Sequence, residues 1–262
     1  MKYNYHTHTF RCHHAEGKDE EYVLRAIEAG YEEIGFSDHC AWPFENGYVS
    51  YMRMISDEIE EYTESVKALR EKYKDKIRIK LGWECEYFER HMDWLKETAK
   101  KYGFDYLILG HHYTPYEIGG VYNGMVTDKD GIEAYKNDVL KALDTGLFSY
   151  VAHPDLYMRQ YGDFDEHCEK AAREIIAKAI ETDTPLEYNL LGIFHAKNDG
   201  FPGYPNHGFW KIAGEMGAKA VVGIDAHTPD AYFWEEMRNE AFEKLRAFGV
   251  VLTEEIRFFD KS

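Results

Sequence analysis

No stretch of about 18 or more apolar residues occurs in the chain, so a membrane-spanning helix is not expected. The first residues, Met1-Lys2-Tyr3-Asn4-Tyr5-His6, also lack the apolar core of a secretory signal, and a soluble protein of the cytoplasm is the expectation. Positive charge is scarce: 31 Lys and Arg stand against 48 Asp and Glu, a net charge of −17 with His neutral. Such a field repels phosphate backbones and anionic lipid, which argues against nucleic acid or a membrane surface as partner. Only four cysteines are present, Cys12, Cys40, Cys85 and Cys168, and none forms a C-x-x-C pair. Reduced thiols are expected rather than a disulfide framework. No low-complexity tract, linker or internal repeat interrupts the sequence, and residues 1–262 read as a single domain.

What the chain does have is histidine, 13 in all, set on an alternation of short apolar runs and amphipathic segments. That alternation marks βα units and a largely parallel sheet. Strands are predicted over residues 2–6, 33–37, 77–84, 106–110, 149–153, 185–189 and 220–225, close to a full barrel, with 250–259 either an eighth strand or an edge piece. Ile55, Ile59, Tyr62, Val66, Leu69 and Tyr73 recur at helical spacing and mark one buried face. Asp165 is placed to cap a helix carrying Ala172, Ile175, Ile176 and Ala179, and Gly30 and Gly146 stand where helices should end.

The histidines fall at the carboxyl ends of these strands. His6 and His8 follow the first, His39 the second, Glu84 ends the third, and His111 and His112 follow the fourth. His153 ends the fifth, and Asp225 and His227 end the last. In a parallel barrel this is the face where loops build an active site, so residues distant in sequence converge there. The i,i+2 spacing of His6-Thr7-His8 and of Asp225-Ala226-His227 lets each pair aim at one centre. A lone histidine beside a strand is usually an ordinary hydrogen-bonded residue, and His91 and His167, inside helical patterns, are read so. The recurrence at strand end after strand end is what points to a polynuclear metal site.

Taken together, His6-Thr7-His8 with Cys12-His13-His14-Ala15, Ser37-Asp38-His39, Gly82-Trp83-Glu84, Gly110-His111-His112, Ala152-His153-Pro154-Asp155-Leu156 and Gly223-Ile224-Asp225-Ala226-His227 resemble the PHP (polymerase and histidinol phosphatase) family. Within it the chain looks like the histidinol-phosphate phosphatase branch. The resemblance runs from His6 to His227 in the family's order. It implies an α/β fold, a distorted TIM-like (β/α)7 barrel, carrying three divalent ions, Zn, Mn or Fe. By the same resemblance His6 and His8 would bind the first ion with Glu84 and Asp225. Glu84 would bridge to a second, also held by His112 and His153, while His14, His39 and His227 would hold the third. His14 fits the pattern better than His13, His112 better than His111, and Glu84 better than Glu86, although strand parity does not separate the two glutamates.

Three divalent ions against two carboxylates would leave about +4 in one pocket of an acidic protein, a setting suited to a phosphate dianion. Metal coordination lowers the pKa of water toward about 7, so a bridging hydroxide could attack phosphorus with no side-chain nucleophile. Glu84, Asp225, His227 and Arg159 are accordingly the expected catalytic groups. Arg159, six residues beyond His153, resembles the family's phosphate-binding basic residue, and a guanidinium suits bidentate phosphate contact. Glu187 and Asn189 resemble the family's strand-end pair, as substrate contacts or as hydrogen-bonding supports. His195 is a further candidate substrate contact. Asp38 and Asp155 are candidates for orienting the ligating histidines, against turn or cap roles. Cys12, close to the expected ligands, is either a packed thiol or a catalytic part, with the packed thiol at least as well supported.

The segment Leu190-Leu191-Gly192-Ile193-Phe194-His195 departs from the polar and basic residues common in the branch, and loops 42–51 and 113–122 are aromatic. The expected activity is phosphomonoester hydrolysis, with L-histidinol phosphate foremost and another small phosphorylated metabolite next. An amidohydrolase-type reaction and a silent metal-binding module are the remaining alternatives. Oligomeric state is not legible.

Overall fold

The computed structural model describes residues 2–200, 203–254 and 256–259. In chain order its elements are β1 (Tyr3–Asn4), α1 (Asp19–Glu28), β2 (Glu33–Phe36), α2 (Ile59–Lys72), β3 (Arg78–Cys85), α3 (Met92–Tyr102) and β4 (Tyr106–Leu109). A hairpin of β5 (Tyr113–Thr114) and β6 (Val121–Tyr122) precedes α4 (Lys129–Asp144), α5 (Met158–Tyr161), α6 (Glu166–Glu181), β7 (Leu186–Asn189) and α7 (Leu190–Asn198). The chain ends with α8 (His207–Met216), β8 (Lys219–Gly223), α9 (Glu235–Phe248) and β9 (Val251–Leu252).

Strands β1 to β4 lie side by side in sequence order, all parallel. The expected fifth strand contributes one paired residue, Val151, which bridges Leu109 on one side and Leu186 on the other. It is short because the backbone leaves the extended region at His153, where φ is 31°. β7 pairs with β8 in parallel, and a parallel bridge between Thr7 and Ala226 joins the last segment to the first. Seven parallel segments thus complete a ring, the distorted (β/α)7 barrel. Closure is made at the carboxyl end, where His8 N–H donates to Ala226 O at 2.9 Å and Ala226 N–H to His6 O at 3.1 Å. Near the amino end β9 pairs with β8 at Lys219 and Ala220. Segment 250–259 is therefore an edge piece; its Glu255 lies outside the described residues.

Strand periodicity sorts the side chains. Ile79, Leu81, Trp83, Leu107, Leu109, Leu186 and Tyr188 share one buried apolar cluster with helix residues such as Tyr62, Val66, Ile175 and Ala213. Their alternates Tyr106 and Ile108, with Tyr5, Tyr150, Ala152 and Val221, form a separate cluster that plugs the ring. Glu84, Glu187 and Asn189 have the same parity as that plug and sit at its carboxyl end. Asp165 caps α6, accepting from His167 and Cys168 N–H. Gly30 and Gly146 take φ of 77° and 64° just beyond α1 and α4. α2 begins later than its apolar spacing predicts. Glu58 accepts the Ile55 N–H at 2.8 Å and starts a short 3-10 turn, leaving Ile55 exposed. No helix among the described residues is long and apolar enough to cross a membrane.

Candidate metal centre

Glu84 leaves the inner face of β3 and lies across the neighbouring strand at Gly110, where a Cβ would fall 1.9 Å from Glu84 Oε1. Glu187 on β7 crosses Gly223 in the same way, 1.8 Å from a hypothetical Cβ. Only glycine allows either carboxylate to reach the ring's centre. Asp225 adopts a φ of 55°, and together with His153 it places two of the expected ligands in backbone conformations that non-glycine residues seldom take.

The nine expected ligands converge. Asp225 Oδ1 stands 3.3 Å from both His6 Nε2 and His8 Nε2. Glu84 Oε1 is 3.4 Å from His6 Nε2, and Glu84 Oε2 is 3.3 Å from His8 Nε2. These separations have a simple meaning: donors ~2.1 Å from a shared tetrahedral ion stand ~3.4 Å apart. Oε1 of Glu84 also faces His153 Nε2 at 2.8 Å and His112 Nε2 at 3.5 Å, and Oε2 faces His39 Nδ1 at 2.9 Å. One carboxylate is therefore shared by five imidazoles. His14, His39 and His227 form a further close group, and Cys12 also comes near His8 and His227. Burial raises the Cys12 thiol, with the Asp38 charge adding to the effect, which keeps it a packed neutral group.

Two contacts test whether cations fit. His14 Nδ1 donates to Cys12 O at 2.6 Å, and His227 Nδ1 donates to Asp225 O at 3.0 Å. In a neutral imidazole the other nitrogen then carries a lone pair. Those two Nε2 atoms face each other at 3.1 Å. Burial, and then the neighbouring His8, drive His14 down to about 4 and His227 down to about 3, so neither relieves the contact by taking up a proton near neutrality. Facing lone pairs call for a cation between them. At the acidic heart the demand for positive charge shows differently. Against the effect of burial, Asp225, Glu187 and Glu84 hold His6 well above its usual value, and Asp225 and Glu84 raise His8 to about 9. Glu84 Oε2, Asp225 Oδ1 and His39 Nδ1 are buried without a hydrogen-bond partner. The donor set fits divalent metal.

The groups that orient these ligands differ in part from expectation. Asp38 spends both oxygens on Thr9, accepting from N–H at 2.8 Å and from the hydroxyl at 2.7 Å. Asp155 accepts from Asn206 N–H at 2.5 Å. Neither reaches a histidine ring. That work falls to Glu187, which accepts from His6 Nδ1 at 2.8 Å, and to Glu86, which accepts from His112 Nδ1 at 3.1 Å. Of the two roles expected for Glu187 and Asn189, the geometry favours that of hydrogen-bonding supports, since neither lines the cavity. Glu187 also accepts from His153 N–H and from Asn189 Nδ2, and that same amide donates to Asp225 Oδ2 at 3.1 Å. Both residues are fully buried behind the ligands. Their alternation with Leu186 and Tyr188, which puts them on the opposite, inner face of the strand, was the signal in the sequence. Arg53, which sequence reasoning missed, is buried between Glu86 and Glu117, 2.7 Å from each. His111 bonds Thr114 Oγ1 at 2.9 Å and takes no part in the cluster, and His13 is exposed.

Over the cluster opens a cavity of about 250 Å³. Five of the clustered histidines, Glu84 and Asp225 form its floor, and Arg159 and His195 stand on its wall. Arg159 lies with its guanidinium carbon 5.9 Å from the Tyr122 ring centre. Tyr122 stacks parallel to His112, and Tyr204 meets His153 edge-on. Met52, Leu156 and Leu191 complete an apolar rim.

The chain matches the family model described as the PHP domain over residues 4–190. The histidinol-phosphatase of Lactococcus lactis is 27% identical over 240 residues, covering 86% of this chain and 84% of that protein. A Deinococcus radiodurans protein named a probable histidinol-phosphatase is 26% identical over 239 residues, covering 86% and 85%. The solved structure of L. lactis histidinol phosphate phosphatase, complexed with Zn, L-histidinol and phosphate, superposes with a TM-score of 0.73 at 21% identity and covers 99% of both chains.

Proposed function

The chain belongs to the PHP domain family, and from that premise we propose that it is a metal-dependent phosphomonoesterase that hydrolyses L-histidinol phosphate to histidinol and phosphate. The observation that carries the reading is the meeting of nine histidine and carboxylate side chains, seven of them on the floor of a cavity whose wall holds Arg159. Relatives named for this activity, matched over most of their length, give the substrate class.

Glu84, shared by five imidazoles, and Asp225 supply the anionic charge that holds the ions, and His6, His8, His14, His39, His112, His153 and His227 supply neutral nitrogen donors. We take the number of ions as three, as the family resemblance implies, drawn from Zn, Mn or Fe. When bound, such ions make a water ionisable near neutral pH and take up charge on phosphoryl oxygens. The rest is the work of the chain. Arg159 offers a planar fork of N–H donors to the phosphoryl group and orients it over the floor. Glu187 and Glu86 keep Nδ1–H of His6 and His112 pointing away, so that the Nε2 lone pairs face inward. Tyr122, Tyr204 and Leu191 shape a wall for the organic part of the ester and exclude bulk water from it.

The test is direct. Metal-loaded protein is expected to release phosphate from L-histidinol phosphate, chelation to abolish turnover, and added Zn or Mn to restore it. The apolar rim favours one further arm, a panel of small phosphate esters tested side by side. Faster turnover of another ester would replace the named substrate while keeping the chemistry, and no turnover of any ester by fully loaded protein would overturn the proposal.

A further inference from the structure

Hydrolysis of a primary alkyl phosphate ends with a strongly basic alcohol oxygen leaving phosphorus, and an unassisted alkoxide is a poor leaving group. A proton donor is needed on the side of the cavity away from the metal floor. The other cavity-lining imidazoles, His14, His39, His112, His153 and His227, belong to the ligand cluster. Burial pushes the Tyr122 phenol up to about 12, a weak acid for the purpose.

His195 is different. It sits on α7 at the cavity wall, and its Nδ1 bonds Asp199 Oδ2 at 2.6 Å, one helical turn further on. Among the described residues its Nε2 has no hydrogen-bond partner. The ring is thus fixed through one nitrogen by a carboxylate, leaving the second for chemistry, the arrangement by which a carboxylate orients a catalytic imidazole. α7 is anchored at its start, where Asn189 Oδ1 accepts the Gly192 N–H at 2.8 Å. The same Asn189 amide holds Asp225. His195 is therefore tied through two turns of helix to the metal floor.

We infer that His195 is the proton donor to the leaving alcohol and that Asp199 positions it. This rests on the phosphatase reading and adds a residue to it. A water oxygen forms the new bond to phosphorus and loses a proton to solvent, while the bond from phosphorus to the ester oxygen breaks. That oxygen keeps the electron pair and takes the proton from Nε2 of the imidazolium, and the imidazole regains a proton from solvent.

The experiment compares two esters, L-histidinol phosphate, whose alcohol must be protonated, and 4-nitrophenyl phosphate, whose phenolate departs unaided. In His195→Gln the ratio of kcat on the alkyl ester to kcat on the aryl ester is expected to fall about 100-fold. Asp199→Asn is expected to lower the same ratio by a smaller factor with KM unchanged, and as a surface change it carries the test should His195→Gln fold poorly. Metal content and melting temperature of both variants are expected to match the parent. An equal fall on both esters would show that His195 holds phosphate, and an unchanged ratio that it does neither; each overturns the inference. A metal-loaded parent protein that cleaves neither these two esters nor any other of the panel overturns the phosphatase reading itself.

Discussion

A single carboxylate, Glu187, shows how the site is held at the level of one side chain. Its two oxygens serve His6 Nδ1, His153 N–H and the Asn189 amide, so it fixes one ligand's tautomer and another's backbone at once. Glu187→Gln keeps the size but puts an N–H₂ where an acceptor stood. Metal affinity is expected to fall about 10- to 100-fold, read by competition with a chromophoric chelator. Gly223→Ala should do the same with the carboxylate intact, because the new Cβ would collide with Glu187 Oε1. An unchanged affinity in both would mean that Glu187 is not what orients His6. Arg53 presents the complementary case. It is the cation of a buried pair of carboxylates, Glu86 and Glu117, and Trp42 Nε1 donates to Glu86 at 2.7 Å. Arg53→Met removes the charge and leaves both buried acids without their cation, which costs about 3–5 kcal/mol. The expected outcome is a large drop in the urea midpoint; a shift within experimental error would contradict it.

At the scale of an element, α6 depends on its first turn. Asp165 accepts from two N–H groups that the helix cannot satisfy itself, and Tyr161 donates its hydroxyl to the same carboxylate at 2.8 Å. Asp165→Ala is expected to cost about 1 kcal/mol. The Cys168 N–H holds this carboxyl below its ordinary value. A depressed carboxyl contributes stability above its unfolded value, about 3.9, and loses it as pH falls through the folded one. The gap between parent and variant should thus be full at pH 7 and narrow below pH of about 4, as urea titrations at the two pH values would show. This cap was readable in the sequence because an N-cap is a local device. The same holds for the strand ends bearing His6, Glu84, His153 and Asp225, where alternation and turn residues announce both element and exit. Legibility stops where the partner is remote. Nothing local says that Glu86 meets Arg53 rather than substrate, that Asp38 turns toward Thr9, or that the fifth strand shrinks to Val151. Each is decided by packing between segments far apart in the chain.

On the scale of the whole molecule, the barrel closes through its chemistry. The first and last segments of the ring touch through the bridge of Thr7 with Ala226, and ligands flank that bridge on both sides: His6 and His8 on one strand, Asp225 and His227 on the other. Away from the site the two segments part, with β9 beside β8 instead. Closure is therefore short in hydrogen bonds and dense in charge, since the acids that attract cations also repel one another when the cations are gone. Metal should act as the clasp of the ring. Any ligand that binds only the folded chain stabilises it by mass action, about 2.7 kcal/mol at a hundredfold excess over Kd, or about 5–10 °C in Tm for a chain of this size. A uniform gain would say only that metal binds. The clasp says where the gain falls: on stripping the metal, the amides of His8 and Ala226, which donate across the closure, should exchange with deuterium far faster. The amides in the β2–β3 ladder, from Glu33 to Phe36 against Arg78 to Leu81, should keep their protection. Equal acceleration in both places would show that the ring stands without its ions and that the site is mounted on the barrel rather than part of what closes it.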